Sequence, residues 1–474
     1  MPYSWLNFAQ AKTALAGRLS DPSKIFWVDD ELDKLLKESL RTWNSIAQFY
    51  RDRCTFNTQP GIAFYDLTQT ANPSPVTGNG GVGMNSASTM LGYTLEDQDL
   101  IKDIEYHLIE PITTNFMNPW TGTEQFDMDS IVRAIERRRN LFLLLTGLNL
   151  SHFQIPFVLG DGRLSLSDST QLVRRVSWLD SDGTYTPLWR EDEESANFLH
   201  PGWAINNDTP VAYSMFLPPP VAIQLIPSPI SSGTLDLVTV TNPANLDEVM
   251  GTLLNVPDDW AWVVKWGALA DLLGRDGQAF DPARSEYCEK RFQEGVRFAL
   301  LGGTINNAVL DGMTVAPSDI NDFDSMLPTW QNVPVATGSN IIEDIAILGR
   351  NLIALSPVPE EDSVGPGPTI LANPHSIQLD VVRNMPIPTA DTDSLQVGRE
   401  HFDAILDYAE HLARFKQGMD EVNSTLTQAN SFMQQAMLHN KQLMAEAKDY
   451  DIMQGYSKKE EIDRRRFRRV EEAA

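Results

Sequence analysis

Along this chain, apolar residues recur every three or four positions in a few long stretches and alternate singly in several short ones. Those two periods separate helices from half-buried strands. The clearest helical stretch is 256–301, VPDDWAWVVKWGALADLLGRDGQAFDPARSEYCEKRFQEGVRFALL. Trp262, Val263, Trp266, Leu269, Ala270 and Leu273 form one apolar stripe. Asp258 or Asp259 is placed to cap the free N–H groups of a helix beginning near Trp260. Gly274 to Gly277 end it, and Asp281-Pro282 restarts the chain as N-cap and first helical residue. Cys288, Phe292, Val296 and Ala299 then make a second stripe, so the spacing predicts an antiparallel helix pair. Its three closely spaced Trp residues read as core packing.

Earlier in the chain, 8–19 is weakly helical. A stronger helix starts at Asp29 or Asp30 and runs to about Phe49, burying Leu32, Leu35, Leu36, Leu40, Trp43 and Ile46. IAFYDLT then reads as a short strand, and 72–88 as an exposed loop. A second unit near Phe126 repeats the order of apolar residue, acidic cap, amphipathic helix and short extended run. Its stripe holds Ile131, Ile135, Leu141, Leu144 and Leu145 behind Asp127 or Asp129, as in a degenerate internal repeat. From 171 to 240 the runs LVRRVSWLD, TYTPLWRED, VAYSMFL, VAIQLIP and TLDLVTVT are strands separated by turn residues.

Beyond the hairpin, 302–397 scatters Pro317, Pro328, Pro334, Pro357, Pro359, Pro366, Pro368, Pro374, Pro386 and Pro388, which reads as an extended arm lying along a surface. Within it 341–355 fits one helix or two strands. After Gly398 a long helix is expected to about Gln454, its apolar residues spaced near 3.5, with Gly418 weakening it but not necessarily breaking it. The chain closes on Arg464, Arg465, Arg466, Phe467, Arg468 and Arg469. That cluster reads either as a solvated, frayed end or as a docking tail for an acidic partner.

The expected fold is therefore α+β: a helical core carrying an inserted antiparallel β-sandwich or barrel-like module, an extended Pro-rich arm and a long C-terminal helix. The expected divisions are 1–165, helical with short strands; 166–256, the β module; 257–301, the hairpin; 302–397, the arm; and 398–474, the terminal helix with its basic tail.

Charge narrows the function. The 474 residues carry 37 Lys and Arg against 64 Asp and Glu, a net −27. Gripping a nucleic-acid backbone needs cations that displace counterions, so this balance argues against tight nucleic-acid binding. An acidic wall can still surround DNA without holding it. Cys54 and Cys288 make no disulfide framework, which points to a reducing compartment. With neither a signal-peptide pattern nor a spanning apolar run, the expectation is a soluble protein made inside the cell, without membrane contact.

Catalytic and cofactor patterns find little footing. Gly78-Asn79-Gly80-Gly81-Val82-Gly83 fits GxGxxG, but ANPSPVT before it is no buried strand and MNSASTM after it is no helix, so a loop explains it better. The histidines (His107, His152, His200, His375, His401, His411 and His439) show no paired ligand spacing, and no CxxC, P-loop or GxSxG occurs. Asp180-Ser181-Asp182-Gly183 resembles the start of a calcium loop but fits a hairpin turn better. No catalytic residue, cofactor or metal is expected, and the chain reads as no enzyme.

The order of elements, together with LHPGW…TPVAYSMFLPPPVAIQLIPSPISSGTLDLVTV and the 256–295 hairpin, resembles the head-to-tail connector (adaptor or neck) proteins of tailed bacteriophages. The likeness is densest over 201–295, with support from FWVDDELDKLLKESLRTWNSIAQFYRDR near the start. The chain departs from that pattern in the unit near Phe126 and in everything after the hairpin. The resemblance implies a virion structural protein: a homo-oligomeric ring, twelvefold, beneath the portal protein. It would join capsid to tail or nozzle proteins, with genomic DNA passing through, in the neck of the virion after assembly in the host cytoplasm. The basic tail is then a candidate portal or neighbour contact. The alternatives are another virion component (tail-tube, fibre-attachment or internal head protein) or a tail-associated cell-wall hydrolase.

Overall fold

The computed structural model describes residues 6–59, 61–68, 74–75, 93–117, 125–158, 163–216, 221–247, 249–277, 279–301, 305–310, 313–315, 317–326, 328, 330–332, 344–358 and 376–453. In chain order the elements begin with α1 (Phe8–Arg18), α2 (Asp29–Ala47), β1 (Arg51–Asn57), β2 (Phe64–Asp66), β3 (Ser74–Pro75) and α3 (Asp97–Leu108). Next come α4 (Met128–Thr146), β4 (Ser151–Phe157), β5 (Leu164–Ser165), β6 (Thr170–Leu179), β7 (Tyr185–Arg190), α5 (Glu193–Leu199), β8 (Ala212–Phe216), β9 (Ala222–Ile226) and β10 (Gly233–Thr241). The hairpin helices are α6 (Ala261–Leu273) and α7 (Pro282–Leu301). The last part holds β11 (Ile305–Leu310), β12 (Met313–Val315), β13 (Pro317–Ser318), α8 (Ile320–Met326), β14 (Asp344–Leu348), β15 (Leu352–Ser356) and β16 (Ser376–Val382), then α9 (Arg399–Gln417) and α10 (Met419–Met453). The fold is α+β, in two compact units.

One unit gathers Met1–Tyr50, His107–Ile109 and Asn384–Ala474. The stripe expected on α2 is buried, and Trp43 at its end lies 5.4 Å from Phe432 and 5.0 Å from His401. The single long helix expected after Gly398 is two helices. Gly418 adopts φ +136°, which a side-chain-bearing residue rarely does, and the chain folds back there. Tyr408 of α9 stacks on Phe432 of α10 at 4.4 Å, and His411 Nδ1 lies 2.9 Å from Thr425 Oγ1. The apolar stripe seen as one continuous seam is thus two faces of a hairpin.

The other unit, Arg51–Tyr106 and Glu110–Arg383, contains the helix pair α6–α7 packed with α4. Helix α6 is buried around almost its whole circumference rather than along one stripe, because α4 and α7 both cover it. At Gly295 a Cβ would stand 2.4 Å from Val263 Cγ2, so a bare backbone is what lets the two helices approach here. Arg138 of α4 pairs with Asp271 and Glu289 while its guanidinium lies 4.9 Å from the Phe292 ring. Capping partly departs from expectation. Asp281 does accept the Arg284 N–H at 3.0 Å, but Asp258 caps a different segment, accepting from the Thr94 and Leu95 amides and the Thr94 hydroxyl.

Three sheets complete this unit. The largest has the order β4-β10-β6-β7-β8-β9-β5, antiparallel except for β7–β8, and closes around Val176, Trp178, Ile223, Leu235 and Leu237. All five runs expected between 171 and 240 are strands of it. Its edges β4 and β5 come from before residue 166, so the module begins earlier than the alternating pattern alone indicated. The other sheets are β1-β16-β11-β12 and β13-β14-β15-β2-β3, which share a core with Leu67, Ile353, Leu355 and Leu379.

The described residues of 302–397 are therefore no extended arm: they supply six strands and a helix built into these sheets and their covering. The proline density misled because Pro357, Pro386 and Pro388 fall after strand ends, and Pro317 sits on the edge strand β13, where a missing N–H costs little. Of the two readings for 341–355, strands are correct: β14 and β15. The repeat is real at the level of local structure. Helices α2 and α4 each span 19 residues and end on one left-handed residue, Gln48 or Gly147. A seven-residue antiparallel edge strand follows each.

Candidate functional site

Among the described residues, a dense group of polar side chains converges on the outer face of β10 and β6. Asp236 points there because residues alternate along β10: Leu235 and Leu237 enter the sheet core, and Asp236, Val238 and Val240 face the other way. His152 Nε2 lies 2.6 Å from Asp236 Oδ1, and Gln154 Nε2 donates to the same oxygen at 3.1 Å. Gln331 Nε2 donates to Oδ2 at 3.0 Å, with Arg175 Nη1 3.6 Å away. Arg175 in turn forms a two-pronged pair with Asp324 of α8, Nε to Oδ2 at 2.7 Å and Nη2 to Oδ1 at 2.8 Å. Trp330 Nε1 donates to Asp324 Oδ1 at 2.8 Å. Phe64 stacks on His152 at 4.3 Å and closes the cluster from above.

Asp236 is 1 % exposed. Burial pushes its carboxyl up, but the His152 and Arg175 contacts and the Gln331 hydrogen bond outweigh it and hold the group well below the ordinary carboxylate range. Ser177, His152 and Asp236 are the residue types of a hydrolytic triad, but the order is wrong for one. Ser177 Oγ lies 3.3 Å from Asp236 Oδ2 and 3.0 Å from Gln331 Oε1, so the serine meets the carboxylate directly and the serine–histidine–carboxylate sequence of a triad is not formed. What the cluster does is fasten: it ties α8 and Trp330 to the sheet face through charge-assisted bonds.

The second feature is a pair of bare apolar projections. Ahead of α2, the Asp21 carboxylate accepts the amides of Ile25 (3.1 Å), Phe26 (2.7 Å) and Trp27 (2.8 Å), which holds Asp21 below its ordinary pKa. That clamp buries Trp27 and leaves Ile25 83 % and Phe26 65 % exposed. At the tip of the β module, Phe198 and Ile205 are each 87 % exposed, with Leu199 beside them. The tip is ordered: Asp192 caps α5 through the Ser195 amide at 2.6 Å, and Trp203 Nε1 donates to Asn197 Oδ1 at 2.9 Å. Ordered turns that keep large apolar side chains in water have the character of protein-docking surfaces.

The expected contact residues Arg464, Arg465, Arg466, Phe467, Arg468 and Arg469 lie outside the described residues, as do Gly78 to Gly83 and His375. Among the described residues no three metal-ligating side chains cluster. Asp180 to Gly183 form the β6–β7 turn, Asp180 and Asp182 accepting the Ser181 and Thr184 amides. Cys288 is buried in α7, and burial pushes its thiol up, so it stays protonated. No described helix is long and apolar enough to cross a membrane. Sequence reading missed the polar cluster, whose signal was a charge at core-strand spacing: Arg175 inside LVRRVSWLD and Asp236 inside TLDLVTVT. It also missed IFWV ahead of the α2 cap, which carried one apolar residue more than a buried staple needs.

No family model matches the chain, and no curated protein matches it in sequence.

Proposed function

We propose that the chain is a structural subunit of a bacteriophage head-to-tail connector, a ring beneath the portal that joins capsid to tail and through which DNA passes. The observation that carries this reading is the set of apolar projections, Ile25 and Phe26 on one turn and Phe198 and Ile205 on another, each held in water by hydrogen bonds. Such surfaces are used up in assembly, and the resemblance over 201–295 supplies the kind of assembly. The net charge of −27 fits a channel that repels phosphate, so that DNA slides without adhering. In this reading the chain works by position and not by turnover, and its basic tail contacts the portal.

The test is the copy number of the protein in purified, DNA-filled particles, measured by quantitative mass spectrometry against the portal. A ratio near one-to-one, or a simple fraction of it, supports a stacked ring. A few copies per particle would favour a fibre-attachment part, and absence from the particle would overturn the reading. Deleting 458–474 is expected to weaken portal attachment without loss of folding.

A further inference from the structure

The strand registers carry more than a local repeat. Leu237 of β10 faces Phe153 of β4 on one side and Val176 of β6 on the other, and Leu379 of β16 likewise faces Cys54 of β1 and Ala308 of β11. Beyond them β6 pairs with β7 as β11 pairs with β12. The parallel pair Arg190–Tyr213 matches Pro317–Ile345, and Ser165–Ala222 matches Asp66–Leu352. On this mapping Asp29, Gln48, Thr55 and Asp66 stand one constant spacing before Met128, Gly147, Gln154 and Ser165. Matched positions share burial: Leu67 with Leu166, Ile353 with Ile223, Leu355 with Leu225, Leu379 with Leu237. Even the tips agree, since Trp203 bonds Asn197 as Trp330 bonds Asp324, each six residues back on the fifth residue of a seven-residue helix. Both copies end in a helix hairpin, α6–α7 or α9–α10. The inner copy, α4 to α7, is inserted between β3 and β11 of the outer one.

The tips differ in one respect. The outer copy's tip is docked on the inner copy's sheet: Asp324 and Gln331 bond Arg175, and Asn332 accepts the Tyr185 amide at 2.6 Å. The inner copy's matched residues, Asn197, Ala204 and Ile205, dock on nothing described, and Ala204 and Ile205 are exposed. On the matching sheet face, Ile377 and Leu379 of β16 are fully buried, while Gln378 and Asp380, at the positions of Asp236 and Val238, are partly exposed.

The chemistry of the matched tip and sheet changes in step. Where the docked pair sets Asp324 against Arg175, the inner tip has Asn197 and the outer sheet has Asn307 at the matched position. Asp236 and Ser177 become Gln378 and Val309, while Gln331 and Asn332 become Ala204 and Ile205. Charge disappears from both sides together, so closing the contact would bury no unpaired ion at these positions. Asp380, where the docked face has Val238, brings one charge to the outer face, opposite Arg53 in the strand register.

We infer that the chain is a nested duplication of one module, and that the inner tip around Asn197 and Ile205 docks on the outer β1–β16–β11 face of a second copy of this chain. The contact inside one chain is the template for the contact between chains. Such a contact is head-to-tail, so it propagates until a ring closes or a filament grows. It stands independently of the connector reading, because it concerns self-association and not location in a particle.

The test uses full-length chains carrying either Ala204→Cys or Gln378→Cys, the positions matched to Gln331 and Asp236, which bond each other in the docked copy. On mild oxidation the mixture should give a disulfide-linked pair joining 204 of one chain to 378 of another, identified by peptide mass, that neither variant gives alone. Ile205→Asp should shift the mass distribution to smaller species at least tenfold more readily on dilution, with its circular dichroism and melting temperature unchanged. A mixture that yields no 204–378 link, or an Ile205→Asp chain that associates like the parent, overturns the inference. So does a parent chain that stays monomeric at all concentrations, whatever its copy number in a particle.

Discussion

The two tips share one scaffold and meet opposite fates. Each is a seven-residue helix whose fifth residue takes a hydrogen bond from a tryptophan. At Trp330 that acceptor is a carboxylate that also holds a buried arginine, and the tip is closed over a sheet. At Trp203 it is an amide, and the tip carries bare apolar side chains. The local hydrogen bond therefore shapes the tip, and a handful of neighbouring residues decides whether it is fastened permanently or left for another partner.

Removing the fastening should have the largest effect. Arg175→Ala strands Asp324 and Asp236 in a buried site and is expected to cost about 3–5 kcal/mol in urea denaturation. Gln378→Ala, in the matched sheet of the outer copy, should stay within about 0.5 kcal/mol. Equal losses would show that the two faces are not in different environments.

Acid should single out the fastened face next. Because the folded-state pKa of Asp236 is depressed, its contribution is fully present above the unfolded-state value, about 3.9, and is lost as pH falls through the lower folded one. The stability gap between the parent and Asp236→Asn should therefore narrow as pH drops below about 4. A gap that widened there would contradict the assignment.

Smaller effects come from the tryptophans. Trp330→Phe leaves a buried charged acceptor short of a donor and should cost about 1.5–3 kcal/mol, against about 0.5–1.5 kcal/mol for Trp203→Phe with its neutral Asn197. Thermal melts of the pair rank the two. Smallest is Gln48→Gly: Gln48 occupies the left-handed position that Gly147 fills in the other copy, and the change should alter stability by about 1 kcal/mol or less.

Helices and strands of the inner copy were legible because periodicity is a local property: α4, the hairpin α6–α7 and the five runs from 171 to 240 lie where the residues place them. The face of α4 was misplaced in its second half: Ile131 and Ile135 are buried as expected, but Phe142 and Leu143 turn inward in place of Leu141, Leu144 and Leu145, the last of them exposed. The outer copy was hard to read for a physical reason. Its strands pair across the whole inserted module, Phe56 with Ile377, and only the partner strand makes a short run such as SIQLDVV intelligible. The repeat showed through α2–β1 and α4–β4, where its spacing is constant, and disappeared where loops of different length reset it. The break at Gly418 was hidden because both arms of the hairpin keep one apolar stripe. The buried ion pair could not be read, since its halves, Arg175 and Asp324, come from different copies.

Nesting also orders events in time. Strand β1 leaves the ribosome early, but its partner β16 follows only after the inserted module has been made in full. At about 5–20 residues per second that delay is roughly 15–60 s, long compared with the folding of most small domains. The inner copy therefore has time to finish while the outer one is still half a sheet, with an unpaired edge exposed to the cell. Translation-arrested chains ending just past Leu301 should accordingly contain a protease-resistant core starting near Phe126, and resistance beginning instead at α2 would mean that the outer copy does not wait.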